Sequence, residues 1–328
     1  MNSQASFLET LPIGALSPET ASAYLALLVL EQPQDALLKE LSALHPQSDY
    51  KIALIEPALC NHPAQIISHA KELAIPAIFV QSKEPSLDQL PIDNSFSASL
   101  ISAGETPLAQ QLIAHPQINY VGWIGYQTCL CTQPLLSHLR ERYFSALRLG
   151  AYREDFKAAE PMIRPANHHF TDIGAVRHSD APEAQGNGPN GLYAEEICQL
   201  VRYMGVSSQP QACFIYGYPA TIEPLQTVTR LLAQLLWYLF ESLSTHQNEN
   251  PYQSKQKALF SPKEVHMGDP YQVVHFLCSN HTKRWWFNIL SKDKTHHFIP
   301  CSQEEYLTAL KGELPFNWLH HYQKLNSI

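Results

Sequence analysis

Apolar positions along the chain follow two periods. Short runs rich in β-branched and aromatic residues recur at Ile52–Ile55, Ala77–Val80, 118–124, 169–176 and Ala212–Tyr216. Apolar runs of this length, bounded by turn residues, read as strands covered on both faces. Between them, 63–73, 134–149, 193–204 and 226–243 read as helices. In the last of these Val228, Leu231, Leu232, Leu235, Leu236 and Leu239 recur every three or four residues, the stripe of a helix laid on a sheet. Strand alternating with helix predicts an α/β fold, a three-layer α/β/α sandwich around a mostly parallel sheet. Such a fold aims its functional loops at the carboxyl ends of the strands.

The pattern before Lys51 reads as helical, with Ser17-Pro18-Glu19 as a helix start. After Asn248 the character changes. Residues 246–257 read as a polar linker, 271–278 and 284–290 as a hairpin, and 303–310 as a helix. The expected organisation is a main domain over 1–250, its first 50 residues helical, and a small appendage over 251–328. No internal repeat is evident.

Composition narrows the function classes. With 328 residues and 45% apolar content the chain can build a sizeable core. Its formal charge of −8, with no block of Lys or Arg, removes the basic field that nucleic-acid binding depends on. The apolar stretch 23–30 falls short of a bilayer span, which takes about 20 residues, so no membrane partner is expected. Seven cysteines, an odd number scattered through apolar runs, read as reduced thiols and place the chain in the cytoplasm. Sixteen histidines invite a metal hypothesis, yet the pairs at 168-169, 296-297 and 320-321 lack chelating spacing.

Three features carry candidate chemistry. Gly186-Asn187-Gly188-Pro189-Asn190-Gly191 matches a dinucleotide fingerprint in letters, but a loop precedes it where a strand is needed, so it reads as a turn. Glu195-Glu196 opens the helix that follows, either as helix-start electrostatics or as a carboxylate facing a cationic substrate. Asp172 closes an apolar strand and is followed by Arg177-His178-Ser179-Asp180. A carboxylate there needs a partner, either Arg177 and the backbone or a metal.

The segments Glu160-Pro161-Met162-Ile163-Arg164, Asp172 through Gly205, and above all Pro189-Asn190-Gly191-Leu192-Tyr193-Ala194-Glu195-Glu196, resemble a divergent, formiminoglutamase-like branch of the arginase (ureohydrolase) family. Gln226-Thr227, Arg284-Trp285-Trp286 and Tyr322-Gln323-Lys324-Leu325 extend the resemblance, which covers about 118–328. It implies the same three-layer fold and hydrolysis of a formimino or guanidino carbon-nitrogen bond by hydroxide bridging two Mn²⁺ ions. It also implies a metal ligand at Asp172, catalytic roles for Asp172, Asp180 and His178, and substrate contacts from Glu196 and Asn190.

The sequence departs from the family at the metal ligands. The family's G-G-x-H segment is expected at 56–62, which reads Glu-Pro-Ala-Leu-Cys-Asn-His, and its D-A-x-x-D segment at Gln81-Ser82-Lys83-Glu84-Pro85. Gly174 and Gly217 stand where acids are usual, so the metal site is degraded. Two functions follow. One is a hydrolase acting on a small cationic substrate through a rebuilt site of Asp172, Asp180, His178 and Glu196, with Mn as cofactor. The other is a pseudoenzyme without metal that binds a ligand or protein partner, with Lys83 supplying the charge of the lost cation. Homo-oligomerisation is open in both.

Overall fold

The computed structural model describes residues 7–31, 34–55, 62–268 and 272–326. Nine strands, β1 (Leu8–Leu11), β2 (Ala26–Leu30), β3 (Ile52–Ile55), β4 (Ala77–Val80), β5 (Ser97–Ile101), β6 (Tyr120–Tyr126), β7 (Ser145–Arg148), β8 (His168–Asp172) and β9 (Ala212–Tyr216), form one sheet. Its order is β1-β3-β2-β4-β9-β8-β5-β6-β7, and the pairings are all parallel. Helices α1 (Pro18–Ala21), α2 (Asp35–Ser42), α3 (Pro63–Glu72), α4 (Pro107–Ala114), α5 (Gln133–Glu141), α6 (Leu149–Glu154), α7 (Ala159–Ile163), α8 (Ala194–Gly205) and α9 (Thr227–Ser244) cover it. Residues of α2, α6, α7, α8 and α9 pack in one core and those of α1, α3, α4 and α5 in the other, giving three layers.

The strands alternate between these cores residue by residue. In β9, Cys213 and Ile215 enter one core while Ala212, Phe214 and Tyr216 enter the other. Phe214 stacks between Phe79 and Phe170, at 4.6 and 5.3 Å, which ties β4, β9 and β8 through a row of aromatic rings. The stripe on α9 is buried as its spacing predicts.

Three sequence expectations need correction. The region before Lys51 contains β1 and β2, and among its described residues the helical parts are a 3₁₀ turn at Ile13–Ala15, α1 and α2. Four of the five residues in Ala26-Leu27-Leu28-Val29-Leu30 are good helix formers, but both faces of the run are covered by core, and that burial overrides local propensity. The stretch 134–149 is not one helix: α5 stops at Glu141, Tyr143 takes a positive φ of 50°, and the chain returns as the edge strand β7. In 169–176 the strand ends at Asp172, where the backbone enters a tight 3₁₀ turn.

Beyond α9 lies a second sheet, antiparallel, in the order β10 (Phe260–Gly268), β11 (Gln272–Ser279), β12 (Trp285–Leu290) and β13 (His296–Cys301), followed by α10 (Gln303–Leu310) and α11 (Phe316–Asn326). The expected hairpin is the β11–β12 pair at the centre of this sheet. Val274, Phe276, Phe287 and Trp318 give it its own core. Arg164, 2% exposed, joins the two sheets: it donates to both oxygens of Glu160 at 2.9 and 2.6 Å and to the carbonyl of Trp285 at 2.9 Å, and lies 4.6 Å above the Trp286 ring. The polar segment before β10 is pinned as well, because Glu249 accepts hydrogen bonds from the hydroxyls of Ser279 and Thr282. Among the described residues, no helix is long and apolar enough to cross a membrane.

Candidate active site at the carboxyl edge of the sheet

The loops that follow β4, β5, β8 and β9 meet at the middle of the sheet, where a site is expected in an open parallel sheet. Asp172 is the last residue of β8 and pairs in register with Tyr216. Its Oδ1 accepts the Gly174 amide at 2.8 Å. Burial pushes its carboxyl up to about 7, against the pull of the Gly174 hydrogen bond, and the charge of Glu84 adds to the rise. Glu84 accepts the Leu108 amide at 3.3 Å, at the start of α4, while its second oxygen is buried without a partner. Burial raises its carboxyl too, opposed by Thr106 and Leu108. The Tyr216 hydroxyl, also buried and unpartnered, is held well above its usual range by burial and by the charges of Asp172 and Glu84.

Two glycines shape the space around Asp172. A Cβ on Gly217 would overlap Asp172 Oδ1, and its φ of +88° suits only glycine. A Cβ on Gly174 would stand 2.5 Å from the carbonyl of Gln185. The 177–192 loop therefore lies directly over the strand ends. Gln185 fixes it there, its amide donating to Gly217 O at 2.8 Å and its side chain to Tyr218 O at 3.0 Å.

The other candidates gather at the start of α8. Asp180 accepts from Arg177 at 2.7 Å, from the Ser179 hydroxyl at 2.9 Å and from the Ala194 amide at 3.1 Å. Burial alone would raise its carboxyl, but these three donors together hold it below the usual carboxylate range. Glu196 accepts the Tyr193 amide at 2.8 Å, capping its own helix, and pairs with Arg153 at 3.4 Å. Tyr193 lies between Arg153 and Arg177, at 4.4 and 4.1 Å from its ring centre. Asn190 exchanges hydrogen bonds with Gln127 at 2.8 and 3.1 Å. His178 is exposed and bonds Asn187 at 3.2 Å. The structure thus brings Asp180, Glu196 and Tyr193 together, while the groups acting on Asp172 are Gly174 and Glu84.

Strand order also changes which segments reach Asp172. Of the expected G-G-x-H stretch, residues 56–61 lie outside the described residues, and His62 is exposed. That stretch follows β3, and β2, β4 and β9 separate β3 from β8. The ends of these two strands are thus four spacings of about 4.8 Å apart, roughly 19 Å. The segments beside Asp172 are those after β4 and β5. Lys83, expected to stand in for a cation, is exposed, and its contribution is a carbonyl that accepts from Gln81 at 2.8 Å. Glu84, one residue on, is the acid that reaches the site. Its signal in the sequence is a carboxylate four residues past an apolar strand, followed by a proline.

Two Mn²⁺ sharing a hydroxide need several carboxylates and imidazoles in one pocket. Around Asp172 the second carboxyl is Glu84. Among the described residues no three His, Cys, Asp or Glu side chains gather closely enough to hold an ion. His169, three residues before Asp172 on the same strand, bonds Ser99 at 2.7 Å and Ser207 at 3.1 Å inside the core, and burial pushes its imidazole down to about 3. This donor set does not fit a dimanganese centre.

No family model and no curated protein sequence matches the chain. Solved structures do. The oxidized formiminoglutamase of Trypanosoma cruzi with Mn²⁺ superposes with a TM-score of 0.55 at 12% identity, covering 68% of this chain and 93% of that one. The formimidoylglutamase of Bacillus subtilis gives 0.55 at 12% identity over 75% and 92% of the two chains. The agmatine ureohydrolase of Thermoplasma volcanium gives 0.51 at 12% identity over 68% and 91%. The chain therefore has the arginase-like, formiminoglutamase-like fold.

Proposed function

We propose that this chain is a ureohydrolase-fold protein that has given up two-manganese hydrolysis and uses the scaffold to bind a small ligand or a protein partner in the cytoplasm. The observation that carries the reading is the donor count at the centre of the carboxyl edge: Glu84 is the one other acid acting on Asp172, and among the described residues no three His, Cys, Asp or Glu side chains gather closely enough to hold an ion. Two Mn²⁺ sharing a hydroxide need more ligands than that pair supplies. The carboxylate that the resemblance assigns to a cationic substrate is committed as well, since Glu196 serves its helix and Arg153. Cys129, Cys131, Cys198, Cys213, Cys278 and Cys301 are free thiols, consistent with a reducing compartment.

One observation favours a second reading, a hydrolase with a rebuilt single-metal site. The free Glu84 oxygen and the Tyr216 hydroxyl are unpartnered atoms that a hard cation beside Asp172 would take. Elemental analysis of the purified protein, followed by ammonia, urea and formamide release assays on formiminoglutamate, arginine and agmatine with added Mn²⁺, separates the two. The scaffold reading expects less than one equivalent of metal and no release. Stoichiometric metal with turnover lost in Asp172→Ala would overturn it in favour of the enzyme.

A further inference from the structure

A cleft of about 810 Å³ opens between the edge of the main sheet and the C-terminal helices. Its size falls within the roughly 300 to 1,000 Å³ of small-molecule sites. The floor and walls include Leu136 and Leu139 of α5, Phe144 before β7, and Met162 of α7, with Phe316 of α11 facing them. Phe316 is 81% exposed, a large apolar side chain left bare at the mouth. The cleft runs along β7, and β5 and β6 separate it from β8 and Asp172. It is a different place from the site around Asp172, and its chemistry is independent of the function proposed for that site.

Cations mark one part of this cleft. Arg140 and Arg148 both line it and both are exposed. Neither makes an ion pair among the described residues, in contrast to Arg153, Arg164, Arg177, Arg230 and Arg284. Arg142 and Arg202 make none either, but neither of them lines the cleft. Tyr126 lines the same cleft and pairs in register with Arg148 on the neighbouring strand. Three acids line the cleft as well: Glu305 accepts the Ser302 amide at 2.7 Å at the start of α10, Asp155 accepts the Lys157 amide at 3.0 Å, and Glu304 is exposed.

We propose that this cleft binds an organic anion, a carboxylate or phosphate monoester on an apolar body, with the head between Arg140, Arg148 and the Tyr126 hydroxyl and the body against Leu136, Phe144, Met162 and Phe316. Guanidinium groups suit both heads, since each presents paired oxygens to a planar donor fork. The apolar body accounts for the bare Phe316, whose ring it would cover.

The test uses the full chain and the fluorescent probe 1-anilinonaphthalene-8-sulfonate, itself an anion on an aromatic body. Saturable binding is expected, displaced by decanoate or decyl phosphate and at least about tenfold less well by the neutral 1-decanol, with the tighter of the two anions identifying the head. Arg140→Gln combined with Arg148→Gln should weaken anion displacement about tenfold and leave decanol unchanged. Phe316→Ser, at an exposed position that does not endanger folding, should weaken all competitors. Displacement by decanol equal to that by decanoate, unaltered anion binding in the double arginine variant, or the absence of saturable binding would each overturn the assignment.

Discussion

Replacing Asp172 by Asn should stabilise the protein at alkaline pH. In the unfolded chain this carboxyl ionises near 3.8, and in the folded protein near 7. Between those values the folded state binds more protons than the unfolded state, so the contribution of Asp172 to stability falls as pH rises from about 4 to 7 and is constant above. The rise of roughly three units corresponds to about 4 kcal/mol at 1.36 kcal/mol per unit. Asp172 is not wholly buried, and water and dipole relaxation reduce the expected figure to about 2 kcal/mol. Asn keeps the shape and can still accept the Gly174 amide, without a proton to lose. Urea unfolding of both proteins at pH 4.5, 6, 7 and 8 checks this. The variant should exceed the parent by about 0.5 kcal/mol at pH 4.5, where the unfolded carboxyl is already largely ionised, and by about 2 kcal/mol at pH 8. Comparing the two proteins at each pH removes most of the contribution of titrating groups that do not act on Asp172, Glu305 among them. A variant less stable than the parent at pH 8, or a difference that does not change with pH, refutes the reasoning. The first of those is what a metal-ligating Asp172 would give.

Two further substitutions probe the frame. Arg164→Met keeps the aliphatic stem but strips the buried contacts to Glu160 and the Trp285 carbonyl, leaving Glu160 with Arg284 at 3.5 Å, and should cost about 3 kcal/mol in urea unfolding. A loss under 1 kcal/mol would show that Arg164 does not join the two sheets. Gly217→Ala forces a side chain into the left-handed region and onto Asp172 Oδ1, and should lower stability by about 1 to 3 kcal/mol. Thermal unfolding should show partial rescue when Asp172→Ala is added, because that change vacates the space.

How much of the fold was legible depended on whether local pattern and tertiary environment agreed. At Ile52–Ile55, Ala77–Val80 and Ala212–Tyr216 an apolar run of strand length sits between turn residues, and those strands are where the sequence puts them. The stripe on α9 is equally plain, because a helix on a sheet buries one face and leaves the other wet. Legibility failed at β2, whose alanine and leucines are helix formers and whose conformation is settled by two covering layers that local pattern does not reveal. It failed again at β5, where Ser97 and Ser99 mask a strand in the middle of the sheet. Ser99 is tolerated there because His169 supplies its hydrogen bond at 2.7 Å.

The candidate site was legible only by halves, for a physical reason that bears on function. The family resemblance drew Asp172, His178, Asp180 and Glu196 into a single constellation, but contacts are decided by where strands end. Asp172 sits at a strand terminus under the loop, and the other acids serve the start of α8. Glu84 comes from a segment 88 positions earlier, and strand order alone brings it within electrostatic reach of Asp172. Two neighbouring carboxyls in such surroundings have three stable outcomes: a cation between them, a basic side chain between them, or protonation. The basic side chain is excluded by the position of Lys83, which faces solvent. Between the other two, the glycines decide how much room remains: Gly217 lies so close to Asp172 Oδ1 that even a methyl group would collide, and Gly174 packs on Gln185. A cation would have to enter from the side of Glu84 and Tyr216, where the two unpartnered oxygen atoms lie, so the pH dependence of Asp172→Asn and the metal content of the parent protein must agree. A proton at Asp172 predicts low metal content and a variant that gains stability with pH, and a cation predicts the reverse of both.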